Sequence, residues 1–175
     1  WMTLQIAWSG MCRPGRNTIR YPTFFEERYM TYEAIINGSR GFDFFGGHIP
    51  TVMTDQDKKL GWNWRFWDRV LKPVLAEIKA DSPLHAALIA PNSTLPIKVE
   101  GDGLEYCVRE VGRDVYIIAS KREGDTVQVK FTGLPLDVSM GEVAYEPPRT
   151  VEAKDGSFTD WFAPNEVHVY CFHRS

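Results

Sequence analysis

Apolar residues follow two different periods along the chain, and the period changes near residue 83. Before it, short apolar runs alternate with segments in which apolar residues recur every three or four positions, which indicates alternating strands and helices. After it, apolar and polar residues alternate within short runs, which is typical of half-buried strands. A polar turn at 81–83 separates the two patterns. We therefore predict two units, residues 1–83 and residues 84–175.

The first unit is predicted to contain two buried strands, each followed by a helix. Residues 1–8 and 41–47 are short apolar runs, as in parallel sheets. A first helix is predicted from Thr23 to about Asn37, with Glu26 as the capping-box partner of Thr23. A second helix is predicted over 62–79, with a kink or a break near Lys72 because Pro73 follows. Residues 48–61 are predicted to form a polar loop.

Two such units cannot bury their own sheet. Parallel strands need crossover helices, and they leave open edges unless further strands pair with them. We therefore expect either association with a missing N-terminal part or self-association.

The second unit is predicted to be an antiparallel β-sandwich of about seven strands. Hairpin turns are predicted at Gly112-Arg113, Gly124-Asp125 and Asp155-Gly156. The fold class is therefore α/β followed by all-β.

Composition narrows the classes of function. Apolar residues make up 43% of the chain, charged residues 25%, and the net charge is −3. This is a globular composition without the basic stripe of a nucleic-acid-binding protein. No apolar run reaches the length of a membrane span. The three cysteines form no CxxC pair and the four histidines are scattered, so neither a metal nor another cofactor is expected.

Residues 20–46 read RYPTFFEERYMTYEAIINGSRGFDFFG. This stretch resembles the late barrel region of glycoside hydrolases related to the β-galactosidase and cellulase superfamily. There a helix of pattern R-x-P-T-x-x-E-x-R-x-M-x-Y is followed by an aromatic strand. The resemblance implies strands seven and eight of a (β/α)8 barrel with their helices, followed by a C-terminal β-sandwich. It also implies a carbohydrate substrate.

Glycoside hydrolysis needs two carboxyl groups, about 5–5.5 Å apart in retaining enzymes and about 6.5–9.5 Å apart in inverting ones. In the resembling enzymes these groups lie on strands four and seven. Strand four is absent here, and the strand matched to seven, residues 1–8, carries no carboxylate. The remaining catalytic candidates are Asp43 and Glu27. Asp43 interrupts an aromatic strand, so it is expected to face Arg40 or a polar cavity. Glu27 lies in the first turn of a helix, where stabilisation of the helix dipole is the alternative explanation.

Four further residues are candidates for substrate binding. Gln5 has the parity of a side chain that points into a barrel, and Trp8 ends the same strand, where an indole could stack on a sugar ring. Arg20 precedes the helix, and His48 follows the second strand on the rim where barrel enzymes bind substrate.

Two functions therefore stay open at this point. The first is a glycoside hydrolase of which this chain is the C-terminal portion. The alternative is a non-catalytic carbohydrate-binding or structural β-sandwich module with an inert barrel remnant. The sequence names neither the sugar, the linkage nor the cellular compartment.

Overall fold

The computed structural model describes residues 1–6, 21–46 and 53–175. Strand β1 (Met2–Gln5) pairs in parallel with strand β2 (Phe42–Phe45), and helix α1 (Phe24–Ile36) lies between them in the chain. The predicted parallel pairing is therefore confirmed. Within the described residues neither strand has a second partner.

Helix α1 begins with the predicted capping box. The Thr23 hydroxyl accepts a hydrogen bond from the Glu26 amide, and the Glu26 carboxylate accepts one from the Thr23 amide at 2.8 Å. These two bonds satisfy backbone donors that a helix start otherwise leaves unpaired. The cap therefore fixes the residue at which α1 begins.

The predicted second helix is continuous over residues 64–78. It comprises α3 (Trp64–Phe66), a π-helical segment (Trp67–Leu71) and α4 (Lys72–Ile78). The Lys72 amide donates to the Trp67 carbonyl, five residues back. Pro73 has no amide hydrogen for the ordinary four-residue bond, so the chain widens into a π-turn just before it.

Part of the predicted polar loop is also helical. Helix α2 (Asp55–Leu60) has Thr54 as its N-cap and Asp57 as the capping-box partner. It has almost no apolar stripe, so the hydrophobic periodicity did not predict it; the spacing of Thr54 and Asp57, typical of a helix N-cap, is the signal that could have identified it. A short helix α5 (His85–Ile89) precedes the strands of the second unit. No helix in the described part of the chain combines the length and hydropathy required to cross a bilayer.

The second unit is built from antiparallel strands. They are β3 (Lys98–Glu100), β4 (Leu104–Val111), β5 (Asp114–Lys121), β6 (Val127–Thr132), β7 (Met140–Ala144), β8 (Thr150–Glu152), β9 (Ser157–Phe162) and β10 (Val167–His173). Five form one sheet in the order β4-β5-β10-β7-β8, and three form another in the order β3-β6-β9. The predicted β-rich architecture is therefore present.

One of the three predicted hairpins is found, where Gly112-Arg113 joins β4 to β5. Asp155-Gly156 forms a tight turn with both residues at positive φ, closed by an isolated bridge between Lys154 and Ser157. The strands on either side of this turn, β8 and β9, belong to different sheets, as do β5 and β6 on either side of Gly124-Asp125, so both of these hairpin predictions are wrong. A local turn signal does not reveal whether the next strand returns beside the last one or crosses to the opposite sheet.

The five-stranded sheet is covered on both faces. One face shares a core with the three-stranded sheet, in which Ile117, Phe131 and Tyr170 are fully buried. The other face packs against α1 and α5, where Tyr32 and Ile118 meet. Each such side chain contributes about 1.5–3 kcal/mol of hydrophobic stabilisation. Helix α1 is therefore attached to both units.

A buried ion pair also joins α1 to its neighbours. The Arg28 Nε donates to both carboxylate oxygens of Glu77 in α4, at 3.1 and 2.9 Å, and Nη1 donates to the Val167 carbonyl of β10 at 2.6 Å. The Tyr32 hydroxyl donates to Glu77 as well, at 2.8 Å. Burial raises the pKa of Glu77, and the Arg28 charge opposes part of that rise.

Candidate functional site

Alternation along β1 and β2 divides their side chains between two faces. Leu4 and Ile6 are buried on the helix side, and Phe44 packs with Ile6 and the helix of residues 64–78. In the parallel register Thr3 lies beside Asp43, and Gln5 lies beside Phe45. These four side chains form two layers on the face that points away from the helices. We call this face the strand-end site.

The layer of Gln5 and Phe45 is nearer the carboxyl ends of the strands. Phe45 is 56% exposed and Gln5 is half-buried. An amide beside an exposed aromatic ring combines hydrogen-bonding groups with a flat apolar surface, which suits a sugar ring. Phe45 was not singled out from the sequence, because five phenylalanines within residues 24–45 look alike until the register is known.

Gln5 lies on a strand whose outer edge has no described partner, and at this edge it also borders a pocket of about 260 Å³ that extends to the start of α1. Glu26, Tyr29, Met30 and Asn165 are among its other lining residues. Burial raises the pKa of Tyr29 to about 12, so its hydroxyl stays protonated and can donate a hydrogen bond at neutral pH. Gln5, one of the predicted binding residues, therefore has both polar and aromatic neighbours in the structure.

Asp43 is exposed, one layer behind Gln5 and Phe45. Asp43 and Arg40, which could have paired, form no hydrogen bond or salt bridge with each other. Arg40 instead donates to the carbonyls of Leu88 and Ala90. A carboxylate in this position needs no buried partner, because solvent reaches it.

Glu27 has the opposite environment. Its side chain has no exposed surface, and neither carboxyl oxygen has a hydrogen-bond partner among the described residues. Burial raises its pKa to about 8, so the group is mostly protonated at neutral pH. Glu27 lies in the packed layer on α1, whereas Asp43 is on the outer face of the strands. The structure does not bring these two catalytic candidates together.

The other three predicted binding residues, Trp8, Arg20 and His48, lie outside the described residues, as does Cys12. Cys107 and Cys171, which could have met in space, are both free thiols. No group of three or more His, Cys, Asp or Glu side chains in the described residues is arranged to hold a metal ion.

A second cluster of polar side chains lies in the β-rich unit. Arg149 donates to Glu146 at 2.7 Å and to Asp160 at 2.8 Å, and Tyr170 also donates to Asp160 at 2.8 Å. His168 is hydrogen-bonded to Glu146. Burial alone would raise the pKa of Glu146, but the bonds from His168 and Arg149 outweigh it and hold the pKa low. No local sequence motif predicts this cluster, because its members come from separate strands and loops.

No protein-family model matches the chain, and no curated protein matches its sequence. Solved structures do match. An α-amylase from Anoxybacillus superposes with a TM-score of 0.59 at 15% identity, covering 86% of this chain and 33% of that one. The α-amylase of Geobacillus thermoleovorans, solved with acarbose, superposes with a TM-score of 0.54 at 13% identity, and the match covers 89% of this chain and 34% of that one. A variant of AmyP, solved with maltotriose, superposes with a TM-score of 0.55 at 12% identity, and the match covers 87% of this chain and 35% of that one.

The chain therefore spans about a third of the length of the structures it matches. At these identities the likeness shows the fold alone. The fold is one that glycoside hydrolases contain, which agrees with the broad prediction from residues 20–46. The narrower resemblance to β-galactosidases and cellulases stays a prediction.

Proposed function

We propose that this chain is the C-terminal region of a glycoside hydrolase. Residues 1–83 would supply strands seven and eight of a (β/α)8 barrel with their helices, and residues 84–175 would form the accessory β-sandwich. The observation that carries this proposal is the strand-end site, where a parallel strand pair presents Gln5, Phe45 and Asp43 on the face away from its helices. In a (β/α)8 barrel that face lines the interior, and substrate binds at the carboxyl ends of the strands.

The exposed surface of the β1–β2 pair is evidence that these strands belong to a larger sheet. Parallel strands are ordinarily buried on both faces and paired at both edges. Here Phe45 is 56% exposed, Met2 is 43% exposed, and both outer edges lack a described partner. Additional strands on these edges would cover the apolar residues and would close the wall of the site.

The chain would supply at most one carboxyl group of the catalytic pair. Asp43 is exposed and would face the substrate in the proposed barrel, whereas Glu27 is buried and would be separated from a substrate in the same space. A second carboxyl group would come from another strand of the barrel, at the spacing that sets the stereochemical outcome. We therefore assign Asp43 to the reaction and assign Glu27 no contact with the sugar. Gln5 and Phe45 would orient the sugar ring.

The test is hydrolysis by the complete product of the encoding gene, assayed as reducing sugar released from starch, xylan and cellulose. We expect activity on one of them. Asp43→Asn should lower kcat by on the order of 100-fold or more, as removal of an acid–base group does. Asp55→Asn, at an exposed position on α2, is the matched control and should leave kcat unchanged.

The outcomes separate the alternatives. If Asp43→Asn retains full kcat, Asp43 is not catalytic. If the protein binds these polysaccharides but releases no reducing sugar, the non-catalytic carbohydrate-binding module is the correct function. If it neither binds nor cleaves any carbohydrate, the proposal fails.

A further inference from the structure

A second pocket, which we call the junction pocket, lies where the start of α1 meets the β-rich unit. It is lined by Phe25 and Arg28 of α1, by Tyr145 and Glu146 after β7, and by Glu166 and His168 at the start of β10. Its volume is about 350 Å³, at the lower end of the range for small-molecule sites. It is distinct from the strand-end site, which lies on the outer face of β1 and β2.

Three aromatic rings, those of Phe24, Phe25 and Tyr145, contribute to the wall of the junction pocket. Phe25 is 65% exposed and Tyr145 is 37% exposed. Tyr145 has a positive φ of 63°, which costs a bulky residue conformational energy. Its hydroxyl donates to the Glu77 carbonyl at 3.2 Å, so the ring is fixed in place. A rigid ring loses little entropy when a ligand stacks on it.

Polar groups line the same space. Glu146 is held by Arg149 and His168, and Glu166 accepts a hydrogen bond from the Ala163 amide at 2.6 Å. Each carboxylate has about four acceptor positions, so lone pairs remain for further donors. Arg28 also borders the pocket, but it is 6% exposed and its Nη2 is buried. The pocket therefore offers a ligand mainly hydrogen-bond acceptors.

The charges at the junction pocket disfavour an anion. Arg149 is shared by Glu146 and Asp160, Arg28 pairs with Glu77, and Glu166 lies 3.5 Å from His168, so the carboxylates outnumber the arginines. Carboxylate acceptors beside exposed aromatic rings suit the hydroxyl groups and the apolar C–H face of a sugar. We propose that the junction pocket binds a short neutral oligosaccharide and acts as a site separate from the strand-end site. The choice of a saccharide rests on the proposed function.

The experiment is a titration of the isotopically labelled chain with maltotriose, cellotriose and xylotriose, followed by backbone amide shifts. We expect one of them to shift residues 24–25, 145–147 and 166–168 together. Phe25→Ala should weaken that binding about fivefold, as loss of one aromatic contact does. Trp64→Ala is the matched control, because Trp64 is a comparably exposed aromatic residue, 48%, on another helix. Thermal unfolding checks that both variants stay folded.

Three results would overturn the inference. Shifts confined to residues 3–5 and 43–45 would show binding at the strand-end site alone, which leaves the proposed function standing. Equal weakening by Phe25→Ala and Trp64→Ala would show nonspecific contact with exposed rings. Absence of any binding, at either site, would refute this inference and remove support from the proposed function as well.

Discussion

The buried carboxyl group of Glu27 makes a quantitative prediction about stability and pH. Its pKa is about 8 in the folded chain, against an ordinary value of 4.5. The folded state therefore holds a proton that the unfolded state releases between pH 4.5 and pH 8. Stability from this group is fully present below pH 4.5 and is lost as the pH rises through that window.

The size of the effect follows from the same two values. One pKa unit corresponds to about 1.36 kcal/mol, so the free energy of unfolding should fall by about 4 kcal/mol between pH 5 and pH 9 through this group alone. That is a large part of the typical stability of about 5–15 kcal/mol of a globular protein. Glu27→Gln keeps the shape of the side chain and removes the titration. The variant should match the wild type at pH 5 and exceed its stability by about 4 kcal/mol at pH 9.

Urea unfolding of both proteins at pH 5, 7 and 9 measures this difference. Because other titrating groups are common to both proteins, their effects cancel in the comparison. Glu152→Gln, at an exposed position on β8, sets the baseline for loss of one solvated charge. Glu27→Leu should be more stable than the wild type at every pH, because two buried oxygens without a described partner are replaced by apolar volume. Parallel stability curves for wild type and Glu27→Gln would refute the reasoning and would mean that Glu27 is solvated or paired.

Two further changes test how the units are joined and packed. Glu77→Gln leaves the Arg28 guanidinium buried without its charge partner, so unfolding by urea should show a loss of roughly 3 kcal/mol. Asp81→Asn breaks only an exposed pair and should leave the free energy of unfolding almost unchanged; a loss equal to that of Glu77→Gln would contradict the importance of burial. Gly141→Ala would place a Cβ 2.5 Å from the buried ring of Phe172, so calorimetry should show a loss of about 1–3 kcal/mol. Glu142→Ala, at the next and exposed position, is its control, and equal unfolding temperatures for the two variants would exclude the clash.

Local signals in the sequence predicted elements well where the cause of structure is local. The capping box at Thr23 and Glu26 fixed the start of α1, and the apolar runs at 1–8 and 41–47 marked the two parallel strands. Pro73 marked a disturbance of the second helix, which takes the form of a π-helical segment just before Lys72 and not of a break. Gly124-Asp125 gave a wrong hairpin prediction, because packing between the two sheets, and not the turn, determines which strand pairs with the following one.

The candidate sites depend on longer-range contacts, and the sequence predicted them less completely. The parity of Gln5 along its strand was visible, but its neighbour Phe45 follows from the register with β2, forty residues later in the chain. The two carboxyl groups of Asp43 and Glu27 looked equivalent as sequence letters. Packing then gave them opposite environments, one exposed on the strand face and one sealed in the layer behind it. Because a carboxyl group acts on a sugar only where a sugar can reach it, this difference in burial supports the proposal that Asp43 takes part in the reaction, and it predicts that Glu27 makes stability depend on pH.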